Sequence, residues 1–448
     1  MAIFKKHKLS CAITATLSLT LVLGLSGCGD DDLNPENIDT PSTYEFNSLT
    51  QPGQSSVDYS QATSQLILIK ELEALINSEE LANLAENGKS AVISRLNEYY
   101  TANPVINTLN IQSIESDLPL EQTQLSDLNI SSLKSSLAGT HGPLFYRDST
   151  DTNNGNFIGW ALNSISNEDE LPDAKVQFWF DGIASALVND DTNLSDKSEI
   201  IRDFLFGAIA YYQATGVLLN TGLNASNSSI EKYTDLQHNW DLAFGYFGAH
   251  PHYGNYSASE NAITLDSDLN NNGEISLLNE YNFEYATLSA KSDSQSSLSI
   301  SNYSQEIFTA FSKGRALIDL YNNTQTNDDP EFFRRLLAQA NIISQNWEKA
   351  LVVQLINNIK LTVIFGELFT QNDLYRSVYY RYWARSKNIA ITLQFNPNSI
   401  ISYLELVDIH RVMKYSTPTT DLTQYFPELN DLRTKLADIY NIDLEGLN

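Results

Sequence analysis

Apolar residues recur at helical spacing along most of this chain. Over 61–76, Leu66, Ile67, Ile69, Leu72, Leu75 and Ile76 fall at three- and four-residue intervals. Ser78, followed by Glu79 and Glu80, opens the next helix as a capping residue with acids in its first turn. The same pattern predicts helices over 91–100 and, more weakly, 125–137, with Asn103 and Pro104 as a break between them. Longer patterns cover 174–188, 195–219 and 229–248, the last capped by Ser228 and Ser229 ahead of Glu231. Further helices are predicted over 303–321, 330–370 (in one piece or two), 373–393, 399–415 and 429–440. Alternating strand patterns are nearly absent. The expected fold class is all-α, a multi-helix bundle of about eight to twelve helices.

The ends of the pattern divide the chain. Residues 1–27 have a basic start (Lys5, Lys6, Lys8), an apolar run and a small-residue cleavage site, so they read as a signal peptide. Leu25, Ser26 and Gly27 then precede Cys28 in the order of a bacterial lipobox, which makes Cys28 the expected lipidation site. Gly29 follows the cysteine, and Asp30, Asp31 and Asp32 come one place later. By its resemblance to Gram-negative sorting signals, that order favours lipid anchoring to the outer membrane, periplasmic or surface-exposed. No later stretch approaches the roughly 20 apolar residues of a membrane span. Residues 28–42, rich in Asp, Asn, Pro and Ser, read as a flexible tether. Residues 43–448 read as the helical domain, which begins with a short extended piece at Tyr44 and Phe46. No repeat of about 20–50 residues marks a solenoid.

Charge and cysteine content narrow the chemistry. The chain carries 27 basic and 55 acidic residues. That excess of acid opposes nucleic-acid binding and attracts cations. The two cysteines are Cys11, in the leader, and Cys28. A mature, lipidated chain has no free thiol for a cysteine protease, zinc finger or iron–sulfur centre. Any bound metal must then be held by oxygen and histidine nitrogen.

Two constellations suggest metal chemistry. Asp268, Asn270 and Asn272 occupy positions 1, 3 and 5 of an EF-hand-type calcium loop, with Gly273 at the sharp turn and Ile275 packing inward. Glu274 is the expected backbone-carbonyl ligand, and Ser276 occupies position 9. Position 12, normally a bidentate Glu, is Asn279, so Glu280 must reach in from one place further on. A polar Asn/Asp/Gly turn that binds nothing is the plainer alternative. The second constellation is His238 and Asp241, three residues apart on one helical face, with His250 and His252 just downstream. They suggest a second site for iron, zinc, copper or a small ligand; a structural His–Asp pair is the alternative. Arg376, Arg381 and Arg385 form a stripe that reads as an ion-paired face before it reads as a clamp for an acidic ligand. Paired tyrosines, such as Tyr99 with Tyr100 and Tyr211 with Tyr212, suit either sugar stacking or core packing.

The residues His238-x-Trp240-Asp241-x-Ala243-Phe244-Gly245-Tyr246-Phe247-Gly248 resemble the signature of the domain-of-unknown-function 4856 family. The calcium-type loop with Glu280, Tyr281, Asn282 and Phe283 fits the same family, as does Leu393-Gln394-Phe395-Asn396-Pro397. The family brings no assigned activity. The chain is more loosely similar to imelysin-like proteins, which are helical, often lipidated, envelope-located and associated with metal uptake. Their motif is Gly-x-His-x-x-Glu, where this chain has Leu236, His238 and Asp241. The imelysin resemblance implies two fused helical bundles. The expected function is an envelope-anchored lipoprotein that binds a metal ion or small ligand, in uptake or sequestration, with a structural Ca²⁺ loop. An outer-membrane transporter is the expected partner. A surface glycan- or protein-binding module is the alternative. Metallopeptidase action comes last, since no His-Glu-x-x-His is present.

Overall fold

Residues 38–139, 158–159, 171–190, 194–228, 231–294, 301–414 and 416–447 are described by a computed structural model. Cys28, with the leader and most of the tether, lies outside them. Fourteen α-helices form among the described residues, joined by short 3₁₀ turns and no strand beyond isolated bridges. The first five are α1 (Ser60–Ile76), α2 (Glu79–Leu84), α3 (Lys89–Tyr100), α4 (Leu133–Ser136) and α5 (Pro172–Val188). Then follow α6 (Ser195–Leu205), α7 (Asp235–Phe247), α8 (Ala258–Asn261), α9 (Glu284–Ser294) and α10 (Tyr303–Leu320). The chain ends with α11 (Pro330–Gln371), α12 (Arg376–Thr392), α13 (Tyr403–Met413) and α14 (Leu422–Tyr440).

The centre of the fold is α11, an unbroken helix of 42 residues. Pro330 sits in its first turn, where a missing N–H costs nothing, and the Asp329 side chain accepts from the N–H groups of Glu331 and Phe332. It is long and apolar enough to cross a membrane, but half of its most apolar window is buried in the body. Around it pack α9, α10, α12 and α14. Trp347 of α11 meets Phe247, Tyr285 and Tyr211 edge-on, with ring centres 5.1–5.4 Å apart. Edge-to-face contacts of this kind add to the burial of large rings.

Several helix boundaries differ from the sequence pattern for identifiable reasons. The helix expected from 229 starts at Asp235, because Thr234 and Gln237 form the capping box. Gly248 ends it with φ +80°, and a Cβ there would lie 2.7 Å from the Phe283 Cβ. The helix expected over 195–219 becomes a π-helix from Phe206 to Leu218, a form frequent at functional sites. The helix expected from 429 begins at Leu422 and accommodates Pro427 in its early turns. The weak 125–137 pattern yields only one 3₁₀ turn and α4. The expected extended piece docks as expected. Tyr44 stacks on Phe244 at 3.8 Å and its N–H donates to the Pro251 carbonyl.

Candidate functional site

A cavity of about 290 Å³ lies between α6, the start of the π-helix, α9, α11 and α12. Phe206, Leu288, Leu351 and Ile389 form its apolar walls, and charged and amide side chains with Tyr285 and Thr392 supply the rest. That mixture of apolar walls and a few convergent polar groups is typical of small-ligand sites, and the volume is near their lower end.

Each charge in the wall has a distinct status. Arg202 forks onto its neighbour Asp203, with Nε and Nη2 2.9 and 2.7 Å from Oδ1, and its Nη1 reaches Glu73 Oε1 of α1 at 2.7 Å. Burial pushes the Asp203 carboxyl up to about 6, while Arg202 pulls it down. Arg385 donates to Glu199 at 2.9 Å. Glu284 and Lys291, two turns apart on α9, make no side-chain ion pair or hydrogen bond among the described residues. The rest of the arginine stripe is an ion-paired face. Arg376 pairs with Asp373, and Arg381 lies 3.5 Å from Asp196.

The residues of the proposed second metal site are not brought together. Asp241 is fully buried and committed to Arg315 Nε (3.0 Å) and the Tyr44 hydroxyl (2.7 Å). His238 stacks on Tyr233, and its Nδ1 donates to the Asp58 carbonyl at 3.1 Å. His250 is buried, its Nδ1 accepting from the His252 N–H at 3.1 Å, and burial lowers its pKa to about 4. His252 turns instead toward Glu45, 3.3 Å away. Among the described residues, no group of three or more His, Cys, Asp or Glu converges. His238 and Asp241 both stand on α7, three residues apart, but a fully buried arginine takes the carboxylate.

The 268–280 loop does fold on itself. Asp268 accepts from the N–H groups of Asn272 (3.1 Å) and Gly273 (3.0 Å), and Asn270 Oδ1 accepts from Asn272 N–H at 2.9 Å. Asn272 Oδ1 accepts from Glu274 N–H at 2.8 Å. Gly273 has φ +84°, which a glycine adopts without strain. The buried Glu280 carboxylate reaches back into the loop and accepts from Leu269, Asn270 and Ser276 N–H groups at 2.9–3.2 Å. Ile275 pairs with the chain at Pro119 and Glu121, and Glu121 holds the Asn272 amide at 2.8 Å. Sequence reasoning missed Glu121 because 151 residues separate it from Asn272. It also missed α9, whose buried face is built from Ala286, Ser289, Ala290 and Ser292 and has little apolar periodicity.

Among the described residues these features define an all-helical fold with a charged cavity between α6, α9, α11 and α12 and a polar loop at 268–280. Residues 211–360 match the family model described as domain of unknown function (DUF4856). No curated protein and no solved structure matches the chain. The comparisons do not extend to imelysin-like proteins.

Proposed function

We propose that this protein is an envelope-anchored lipoprotein that binds a small polar ligand in the cavity between α6, α9, α11 and α12. The observation that carries the reading is the cavity itself, about 290 Å³ and walled by Arg202, Asp203, Glu284, Lys291 and Arg385. The lipid anchor rests on the lipobox at Cys28. Its place in uptake or sequestration, beside an outer-membrane transporter, follows from that address. Purified protein screened by thermal shift against small polar molecules is expected to be stabilised by some of them. Leu288→Trp, which fills the cavity, is expected to abolish those shifts. Equal shifts in both proteins, or none in either, would sink the ligand-binding reading.

The loop at 268–280 is assigned a structural Ca²⁺, with oxygens from Asp268, Asn270, Asn272, Ser276 and Glu280 and the Glu274 carbonyl as its donors. Its Asx-type hydrogen bonds fix the side-chain oxygens of Asp268, Asn270 and Asn272 against the loop's own backbone. An ion bound only to the folded state stabilises it by about 2.7 kcal/mol at one hundred times its dissociation constant. Chelator is therefore expected to lower the melting temperature of the wild type, and to leave Asp268→Ala unmoved. Identical chelator responses in the two proteins would remove the assignment.

The alternative of a glycan-stacking surface loses its main support, because Tyr99, Tyr100, Tyr211, Tyr212, Tyr246 and Tyr379 are all buried. Iron, zinc or copper near His238 has no convergent donor set among the described residues to support it.

A further inference from the structure

The two cavity charges that make no direct side-chain contact among the described residues have opposite signs. Glu284 is half-buried and Lys291 exposed, so the anion lies inside and the cation toward solvent. Both project from α9, seven residues apart, which places their Cα atoms about 10 Å apart along the helix axis. The other wall charges are already satisfied, Arg202 by Asp203 and Glu73, and Arg385 by Glu199. Glu284 also lies within the electrostatic reach of Arg202, but it has no hydrogen-bonded or ion-paired partner among the described residues, so a ligand with one charge leaves either Glu284 or Lys291 without a direct contact. Leu288 lies between them on the same helix, with Leu351, Ile389 and Phe206 completing the apolar wall. A chain that spans the two charges is thus itself best apolar.

We propose that the cavity selects a small zwitterion whose ammonium and carboxylate are separated by several methylenes, the ammonium on Glu284 and the carboxylate on Lys291. This rests on the cavity reading above and names its ligand class. An α-amino acid holds its charges too close together to reach both groups. Charge-assisted hydrogen bonds at both ends are stronger than neutral ones, and their geometry sets the orientation. The excess acid of the chain, at net charge −28, favours entry with the ammonium leading.

The test is calorimetric titration of the full chain with 6-aminohexanoate, hexylamine and hexanoate. The zwitterion is expected to bind tighter than either singly charged analogue by about tenfold or more, the scale of one charge-assisted contact. Glu284→Gln is expected to reduce 6-aminohexanoate to the affinity of hexanoate, and Lys291→Gln to that of hexylamine. Neither side chain makes a hydrogen bond among the described residues, so both variants should melt as the wild type does. Equal binding of hexylamine or hexanoate overturns the proposal, as does a zwitterion affinity unchanged by Glu284→Gln. If none of the three binds while other small molecules still shift the wild type and not Leu288→Trp, the ligand class fails and the cavity reading survives. If nothing shifts either protein, both fail.

Discussion

Arg315→Met is expected to destabilise the fold by about 3–5 kcal/mol, the cost of leaving a buried charge without its partner. Arg315 is fully buried on α10. Its guanidinium reaches Asp241 on α7, Asp319 one turn along its own helix, and the Ser56 hydroxyl at 2.7 Å. The ring of Phe46 lies beneath it, 5.0 Å from the guanidinium carbon. One side chain thus ties two core helices to the segment between the tether and α1. Removing it leaves Asp241 with only the Tyr44 hydroxyl and the Asp58 N–H.

The loss should depend on pH. Burial already pushes the Asp241 carboxyl up to about 6, against the pull of Arg315. Without the cation it rises further. A carboxyl whose folded pKa exceeds its unfolded value of 3.8 binds its proton more tightly in the native state, so it weakens the fold as pH rises through that interval. Urea unfolding at pH 4.5 and pH 8 is expected to show a wider gap between wild type and variant at the higher pH. A gap that is small and flat with pH would show that the pair carries little. Replacing both partners with apolar residues, Asp241→Leu with Arg315→Met, should recover much of the loss, since no lone charge remains.

Glu348→Leu is expected to cost about as much, roughly 3–5 kcal/mol, for a different reason. Glu348 is fully buried on α11 and faces no cation in its hydrogen-bond set. Its carboxylate accepts from the Tyr440 hydroxyl (2.6 Å), the Ser399 hydroxyl (2.8 Å), the Asn396 amide (3.1 Å) and the N–H groups of Ile400 and Ile401. Burial raises its pKa while these donors hold it down. Leucine fills much of the space but accepts nothing, and it strands several buried donors at about 1–3 kcal/mol each. Because Tyr440 closes α14, hydrogen exchange should accelerate first in Leu422–Tyr440. Tyr440→Phe removes a single donor and is expected to cost only about 1 kcal/mol. Similar losses in the two variants would show that the network is less than the sum of its bonds.

Both clusters show how far the sequence could be read. Asp241 was legible as a conspicuous acid on the His238 face. Its partner was not, because Arg315 is 74 residues away and nothing local links them. Glu348 gave no signal, since one acid in a long apolar helix resembles an exposed position until the loop at 396–401 and Tyr440 close over it. The cavity was half legible. Arg385 stood out in the stripe, whereas Glu284 and Lys291 sit on a helix whose small buried residues carry too little hydrophobic contrast to mark it.

What the sequence determined by itself is the helical class, most helix positions, the family signature around 238–248 and the turn chemistry of 268–276. These depend on residues within a few positions of one another, where periodicity, caps and glycine conformations act directly. The tertiary structure alone decided which polar groups are spent and which are free. It buried Asp241 against Arg315, gave His238, His250 and His252 contacts away from any shared metal point, and left Glu284 and Lys291 facing one cavity. Pairing across long separations is set by helix packing, and the chemistry open to a side chain depends on whether that packing has already supplied its partner.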